Sequence, residues 1–592
     1  MKKYLLAIAA LIVMGAAFAA TPKDTYVYLQ SAVVDSLDPV QGYDGASNGI
    51  IENIYETLYS FKKDSLSEYE PTLATSYEVS DDGLTYTFHL RKGVKFHSGN
   101  PMTCKDVKYS MQRNLVVMPG DSGAWIFGSV LTGYGDDAMT EAKRALGDNA
   151  SKAEIDKFLD QYWKKIEAAV TCDDMYTVSF HLAKPDVSFM ARLLFTGAAV
   201  VDSKFAIAHG EWSGTEADWK DWIGRDLRTS YLHKHDAGTG PYKLVKWDGN
   251  NVVAEAFDGY WGGAPTIKKV LIQSVEEEAT RLEALRRGDA DRVDVNSWAT
   301  VNAKVKQMSG VKVWSDPKWS PAGAHVVFFN FNVQGENNPY IGSGKLDGNG
   351  IPRDFFSDIN LRKAFAYCLD QDAIYNDLFE GHGSWYTMAL PPTWPGYNPD
   401  VPIRKLDLDK AEEYFKKAWG GKVWEKGFKL TITYNAGNTE RQTVAEMIKA
   451  NVESINPKFK IDIAPLQWSD YLKAARAKSL PIWPLGWGAD YADPDNFIHP
   501  FYHSRGSLAK RQNFKDPEFD KLIDYARTLV KPEQQAERYG IYKKIGRMAY
   551  DVLPNVPYPL QSPFIVTRDN LQGVYYNSMI SRDYYWKDIS KK

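Results

Sequence analysis

Residues 25–30, TYVYLQ, alternate, which predicts a strand. The next stretch, DSLDPVQGYDGAS, is turn chemistry. Behind it, with Ser47 as a candidate N-cap, Ile50, Ile51, Ile54, Tyr55 and Leu58 recur at helical spacing. YEVSDDGLTYTFHL, 77–90, is two alternating runs around Asp-Gly, hence a hairpin. Thr103, with Asp106 three residues on, opens a helix as a capping box. Residues 135–170 are charged and helical, and 176–185 return to strand alternation. In 276–295 the acids lead and the arginines trail before Gly288, as a helix dipole favours. HVVFFNFNV, 325–333, is an apolar run of β character, and 359–379 reads as a helix. Two strands, FKLTITYNAG and KIDIAPLQW, flank a helix over 439–454, an α/β unit.

The first residues read differently. Lys2 and Lys3 precede an apolar run to about Met14, and Ala17 and Ala19 place small residues at a cleavage site. This is the pattern of a secretory signal peptide over 1–19, with a mature chain of about 573 residues starting at Ala20. The apolar run is too short for a comfortable bilayer span, and no cysteine near the cleavage point offers a lipid anchor. At roughly 150 residues per domain, this length predicts about three or four structural units. Net charge is −4, with no basic stripe, which argues against nucleic acid as a partner. Three cysteines make no disulfide framework. Cys104 and Cys172 share the N-terminal region and are the candidate pair; three buried thiols are the alternative.

Four motifs then occur in order. They are SDDGLTYTFHLRKGVKFHSGNPMTCKDV; GTGPYKLVKW with YWGGAP; LRKAFAYCLDQDAIYNDLFEGHG with PGYNPD; and GWGADYADPDNF. Together they resemble the extracellular solute-binding proteins of the dipeptide- and oligopeptide-binding class, family 5 of ABC importers. The resemblance covers nearly the whole mature chain. It implies an α/β, two-lobed periplasmic-binding-protein fold (type II, with an extra subdomain) whose lobes are joined by two hinge strands. On that basis the first lobe comprises 20–327 and 557–592, with an insert at about 61–190, and the second comprises 328–556. The crossings are expected near 325–332 and 553–560. The resemblance also implies a peptide or other small solute as ligand, and a membrane permease and ATPase as partners. It further implies a monomer in the periplasm, no cofactor and no metal.

In the peptide-binding relatives, the aspartate following Gly-Trp-X-X pairs with the ligand's ammonium group, and Asp490 stands at that position. A fixed carboxylate suits this role because charge-assisted hydrogen bonds are the strong ones. Gly486–Gly488 match the segment that pairs with an extended ligand as an added strand, and Trp487 would wall the cleft. Tyr43, Asp44 and Gly45 match the first-lobe side. Pro484 occupies the place where some relatives carry an arginine for the ligand's carboxylate; Arg476 is the tentative substitute. Asp493 and Asp495 read as a turn and a helix cap; a calcium loop would need a regular one-three-five spacing that they lack. An oligosaccharide or another small solute in the same fold is the alternative ligand. A two-carboxylate hydrolase is the rival enzyme class, since such a pair has no short spacing rule. The chain contains no H-E-x-x-H or C-x-x-C.

Overall fold

The computed structural model describes residues 21–592, so the expected signal peptide lies outside the described residues. Two mixed sheets organise the chain. In the first, Thr25–Gln30 runs parallel to both Lys269–Ser274 and Arg292–Val293, and the remaining pairings are antiparallel. The alternation read in TYVYLQ has a physical counterpart. Tyr26 and Tyr28 enter a large apolar cluster, while Val27 and Leu29 pack on the opposite face against Leu282 and Leu285 of the helix Glu278–Arg287. Gly288 ends that helix at φ 84°, the left-handed conformation that a Cβ disfavours.

The second sheet has the order Phe459–Leu466, Phe428–Asn435, Ile482–Gly488, Gly323–Phe329, Asn555–Pro557. Its first two strands are parallel, joined by the helix Thr439–Ile455. The strand Gly323–Phe329 is buried on both faces: Val327 and Phe329 enter one cluster, Val326 and Phe328 the other. That double burial explains why HVVFFNFNV is continuously apolar instead of alternating.

The same fact moves the expected crossing. Residues 323–329 pair with 482–488 inside the second sheet, so 325–332 is not a connector. The connection from the first sheet runs through 315–322, the polar, proline-bearing SDPKWSPA between Val311–Trp314 and Gly323–Phe329. The return runs through 562–564, between Leu560–Gln561, which still pairs with Gly383–Ser384 of the second lobe, and Ile565–Arg568, later than the expected 553–560. An apolar run marks burial, whereas a connector has little to bury. The expected lobe boundaries at 327/328 and 556/557 shift accordingly.

Within the first lobe, Ala74–Val79, Thr85–Leu90, Thr177–His181 and Val170–Asp174 form a four-stranded antiparallel sheet. The helix Cys104–Val117 packs on it, opened by the expected capping box: the Asp106 carboxylate accepts from the Thr103 N–H at 2.8 Å. Cys104 and Cys172 are disulfide-bonded across 68 residues of chain, and Cys368 is a buried free thiol. Closing a loop of that length in the unfolded chain stabilises the fold by about 4 kcal/mol in the chain-entropy account. Reduction, or Cys104→Ser with Cys172→Ser, should therefore lower the denaturation midpoint of the first lobe. A midpoint indifferent to reductant would show that the bridge contributes no stability.

Candidate functional site

The site is built from one end of each sheet. After the strand Thr25–Gln30, the chain turns and enters the helix Gly45–Ile54. Asp44, not Ser47, caps that helix: Asp44 Oδ1 accepts from the N–H groups of Ala46 and Ser47, each at 2.9 Å. Ser47 Oγ instead accepts from Asp35 and Ser36 N–H and holds the preceding turn. This geometry places Tyr43, Asp44 and Gly45 on the rim of a cavity of about 440 Å³. The opposite wall is Gly486, Trp487, Gly488 and Asp490, from the second lobe.

Across this cavity a hydrogen bond joins the two lobes, from the Tyr43 hydroxyl to Asp490 Oδ1 at 2.7 Å. Trp125 Nε1 donates to the Tyr43 oxygen at 3.3 Å and fixes the phenol. On its own side Asp490 is held by Asn496, whose Oδ1 accepts from Asp490 N–H at 3.1 Å and whose Nδ2 donates to Asp490 Oδ2 at 3.3 Å. The same Asn496 oxygen accepts from Trp487 Nε1 at 2.9 Å. The indole N–H is thus spent within the wall, and Trp487 offers the cavity its apolar ring. Burial pushes the Asp490 carboxyl up to about 6, against the hydrogen bonds from Tyr43 and Asn496. A cation placed beside it would favour the ionised form. Glu52, also on the cavity, is pushed up to about 8 by burial.

The strand Ile482–Gly488 is paired along one edge with Gly323–Phe329 throughout. Along its other edge only Ile482 has a strand partner, Ile432. Past that point no strand lies beside the edge, and its end, Gly486–Gly488, lines the cavity. Gly486 has a local cause: a Cβ there would lie 2.1 Å from the His325 ring. Gly488 is open, with nothing within 4 Å of a Cβ. Both glycines leave the backbone accessible, one by sheet packing and one by the absence of any neighbour.

The other aspartates of this loop point elsewhere. Asp493 pairs with Arg538 and accepts from Asp495 N–H at 2.8 Å; Asp495, expected as a helix cap, is instead the first residue of the helix Asp495–Tyr502, whose N-cap position is Pro494. Asp495 meets Arg527 at 3.3 Å. Among the described residues no three His, Cys, Asp or Glu side chains group as metal ligands. Arg476 is not brought to the site. It lies exposed at the end of the helix Trp468–Arg476, on a solvated face, and does not line the cavity. Pro484 is buried, its carbonyl taken by the Tyr471 hydroxyl.

Sequence reading missed Asn496, Trp125 and the C-terminal Ser578, Met579 and Ser581, which also line or support the cavity. Asn496 lay inside the quoted motif, and a buried amide beside a hook carboxylate was the available signal. The C-terminal residues gave none, because their position depends on a strand returning from the second lobe.

Residues 68–509 match the family described as "Bacterial extracellular solute-binding proteins, family 5 Middle". Heme-binding protein A of Haemophilus influenzae is 27% identical over 545 residues, 90% of this chain and 86% of that protein. The dipeptide-binding protein of Escherichia coli is 27% identical over 529 residues, 88% of this chain and 86% of that protein. Among solved structures, the ABC transporter-associated periplasmic binding protein DppA from Helicobacter pylori, in complex with the peptide STSA, superposes with a TM-score of 0.70. It is 24% identical, and the match covers 96% of this chain and 98% of that one. These relatives share a fold and differ in the ligands that their names state.

Proposed function

The chain belongs to the bacterial extracellular solute-binding proteins of family 5, and from that premise we propose that it captures di- or oligopeptides between its lobes and presents them to a membrane ABC importer. The observation that carries this reading is the pairing of a buried carboxylate with an open strand edge. Asp490 offers a charge-assisted acceptor to an ammonium group. Two residues before it, the strand end Gly486–Gly488 offers main-chain bonds that do not depend on side chains. A neutral sugar would hydrogen-bond to either feature but leave the charge of Asp490 unmatched, and the anionic propionates of a heme would be repelled by it. The protein works as a monomer exported to the periplasm. It performs no chemistry on what it binds, and it closes by rotation about 315–322 and 562–564. Ligand drives closure through contacts from both lobes, since only differential affinity shifts such an equilibrium.

The test is retention of peptides from a mixed pool, followed by calorimetry as a function of pH. An ammonium group stabilises the ionised form of Asp490, so binding below its ligand-free pKa must expel a proton. Affinity should be level between about pH 6 and the pKa of the peptide's amino group, about 7.7–8, and fall by roughly tenfold per unit below about pH 6. A flat profile from pH 7 to pH 4.5 would remove Asp490 from the binding step. Retention of no peptide would remove the peptide reading.

A further inference from the structure

A second cavity, of about 360 Å³, adjoins the first; Ser581 lines both. It sits where Thr25–Gln30 and Arg292–Val293, parallel neighbours, reach their carboxyl ends. In open α/β sheets that is the edge where ligands bind. Four charged side chains line it: Arg292, Asp294, Arg582 and Asp583.

Three of these are fully engaged. Arg292 donates to Asp583 and to the Arg582 carbonyl. Asp294 accepts from the Tyr28 hydroxyl and from Ser31 N–H and Oγ. Arg582 is the exception. Its guanidinium makes no hydrogen bond among the described residues, its Nε is buried without a partner, and its nearest carboxylate oxygen, on Asp294, is 4.0 Å away. A buried donor left unpaired costs free energy and calls for an explanation.

The surroundings hold this side chain in place. Gly49 lies under its stem, where a Cβ would come within 2.3 Å of Arg582 Cγ. The main chain on either side is pinned as well: Glu52 accepts from Ser581 N–H at 3.1 Å and Ser581 Oγ at 2.8 Å, and Arg292 holds the Arg582 carbonyl at 2.6 Å. The fork is therefore preorganised, and what it lacks is an acceptor.

We propose that Arg582 anchors a carboxylate of the ligand in this annex, so that a bound peptide runs from the Asp490 hook past Ser581 to Arg582. Guanidinium and carboxylate match as a two-pronged pair. The assignment gives the cleft the anion-binding group that Pro484 and the exposed Arg476 do not provide. It rests on the peptide reading above.

The test uses pools of di- to tetrapeptides as free acids and the same pools as carboxyl-terminal amides. The peptide that the wild-type protein retains most is compared with its own amide by calorimetry. The free acid should bind about tenfold tighter or more. Arg582→Gln should remove that preference by weakening the acid while leaving the amide within about threefold. Arg582→Lys keeps the stem on Gly49 and the charge but loses the fork. It should restore part of the preference, and it serves as the readout if Arg582→Gln does not fold. Dependence on the free amino terminus should persist in both variants. Equal binding of acid and amide by the wild type, or an undiminished preference in a folded variant, overturns the assignment while the peptide reading stands. Retention of neither pool overturns both.

Discussion

Asp490→Asn should abolish peptide capture while leaving the fold intact. Asn keeps the shape and still accepts from the Tyr43 hydroxyl. It removes the charge that an ammonium group would meet. Leaving a buried ion without its partner costs roughly 3–5 kcal/mol, which is about two to four decades in affinity. The fold itself disfavours the charged carboxyl, since burial pushes it up to about 6. At pH 7 the substitution therefore relieves a burial penalty, offset by placing an amide N–H₂ opposite Asn496 Nδ2. The melting temperature should stay level or rise. This split, binding lost and stability kept, separates a hook from a structural carboxylate. Peptides acetylated at the amino terminus should fail against the natural protein for the same reason. Calorimetry that finds the variant within threefold of the original, or acetylated peptides binding equally well, would show that Asp490 holds no ammonium group.

The parts of this site that were legible in the sequence are those encoded within a few residues. The hook motif brings Gly486, Trp487, Gly488 and Asp490 to one wall because a strand end and its following turn are local structures. Tyr43 and Gly45 follow a strand and open a helix, again locally. The alternation of Tyr26 and Tyr28 against Val27 and Leu29 named the two faces of the first sheet correctly. What failed was longer in range or ambiguous in kind. An apolar run cannot distinguish a doubly buried strand from a buried connector, so 325–332 reads as a crossing although most of it lies in the paired strand Gly323–Phe329. Ser47 and Asp44 are both good caps, and only the start of the helix at Gly45 chooses between them. Arg476 has the right chemistry, but helical periodicity does not say which face looks into a cleft. Arg582 lies 92 residues beyond Asp490, and only the return through 562–564 carries it to the cleft.

Asp186→Asn should weaken ligand binding by about one to two decades without touching the cavity, because it unbalances a group of charges that meets across the closed lobes. Asp186 and Arg192 come from the first lobe, Asp495 and Arg527 from the second. Within each lobe the pairs stand at 3.4 and 3.3 Å; between lobes Arg192 meets Asp495 at 3.9 Å and Arg527 meets Asp186 at 3.8 Å. Arg192 also lies 4.1 Å from the centre of the Tyr491 ring, next to the hook residue, and Tyr491 packs into the first lobe's cluster. Against the upward push of burial, Arg192 and Arg527 hold the Asp186 carboxyl down at about 2, so it is charged across the physiological range. Two positive and two negative charges can close together because each lobe arrives neutral. With Asn at 186, closure buries two guanidinium groups against one carboxylate. A buried pair broken outright costs roughly 3–5 kcal/mol; with Asp495 remaining and the inter-lobe contacts long, about half of that falls on the closed state. Since only the closed state binds fully, apparent affinity falls with its population. Adding Arg527→Gln to Asp186→Asn restores neutrality and should recover most of the loss, an outcome that simple damage to packing would not produce. Scattering with and without a bound peptide should show the single variant compacting less than the wild type at equal ligand. Unchanged affinity and full compaction in Asp186→Asn would mean that these charges are bystanders to closure.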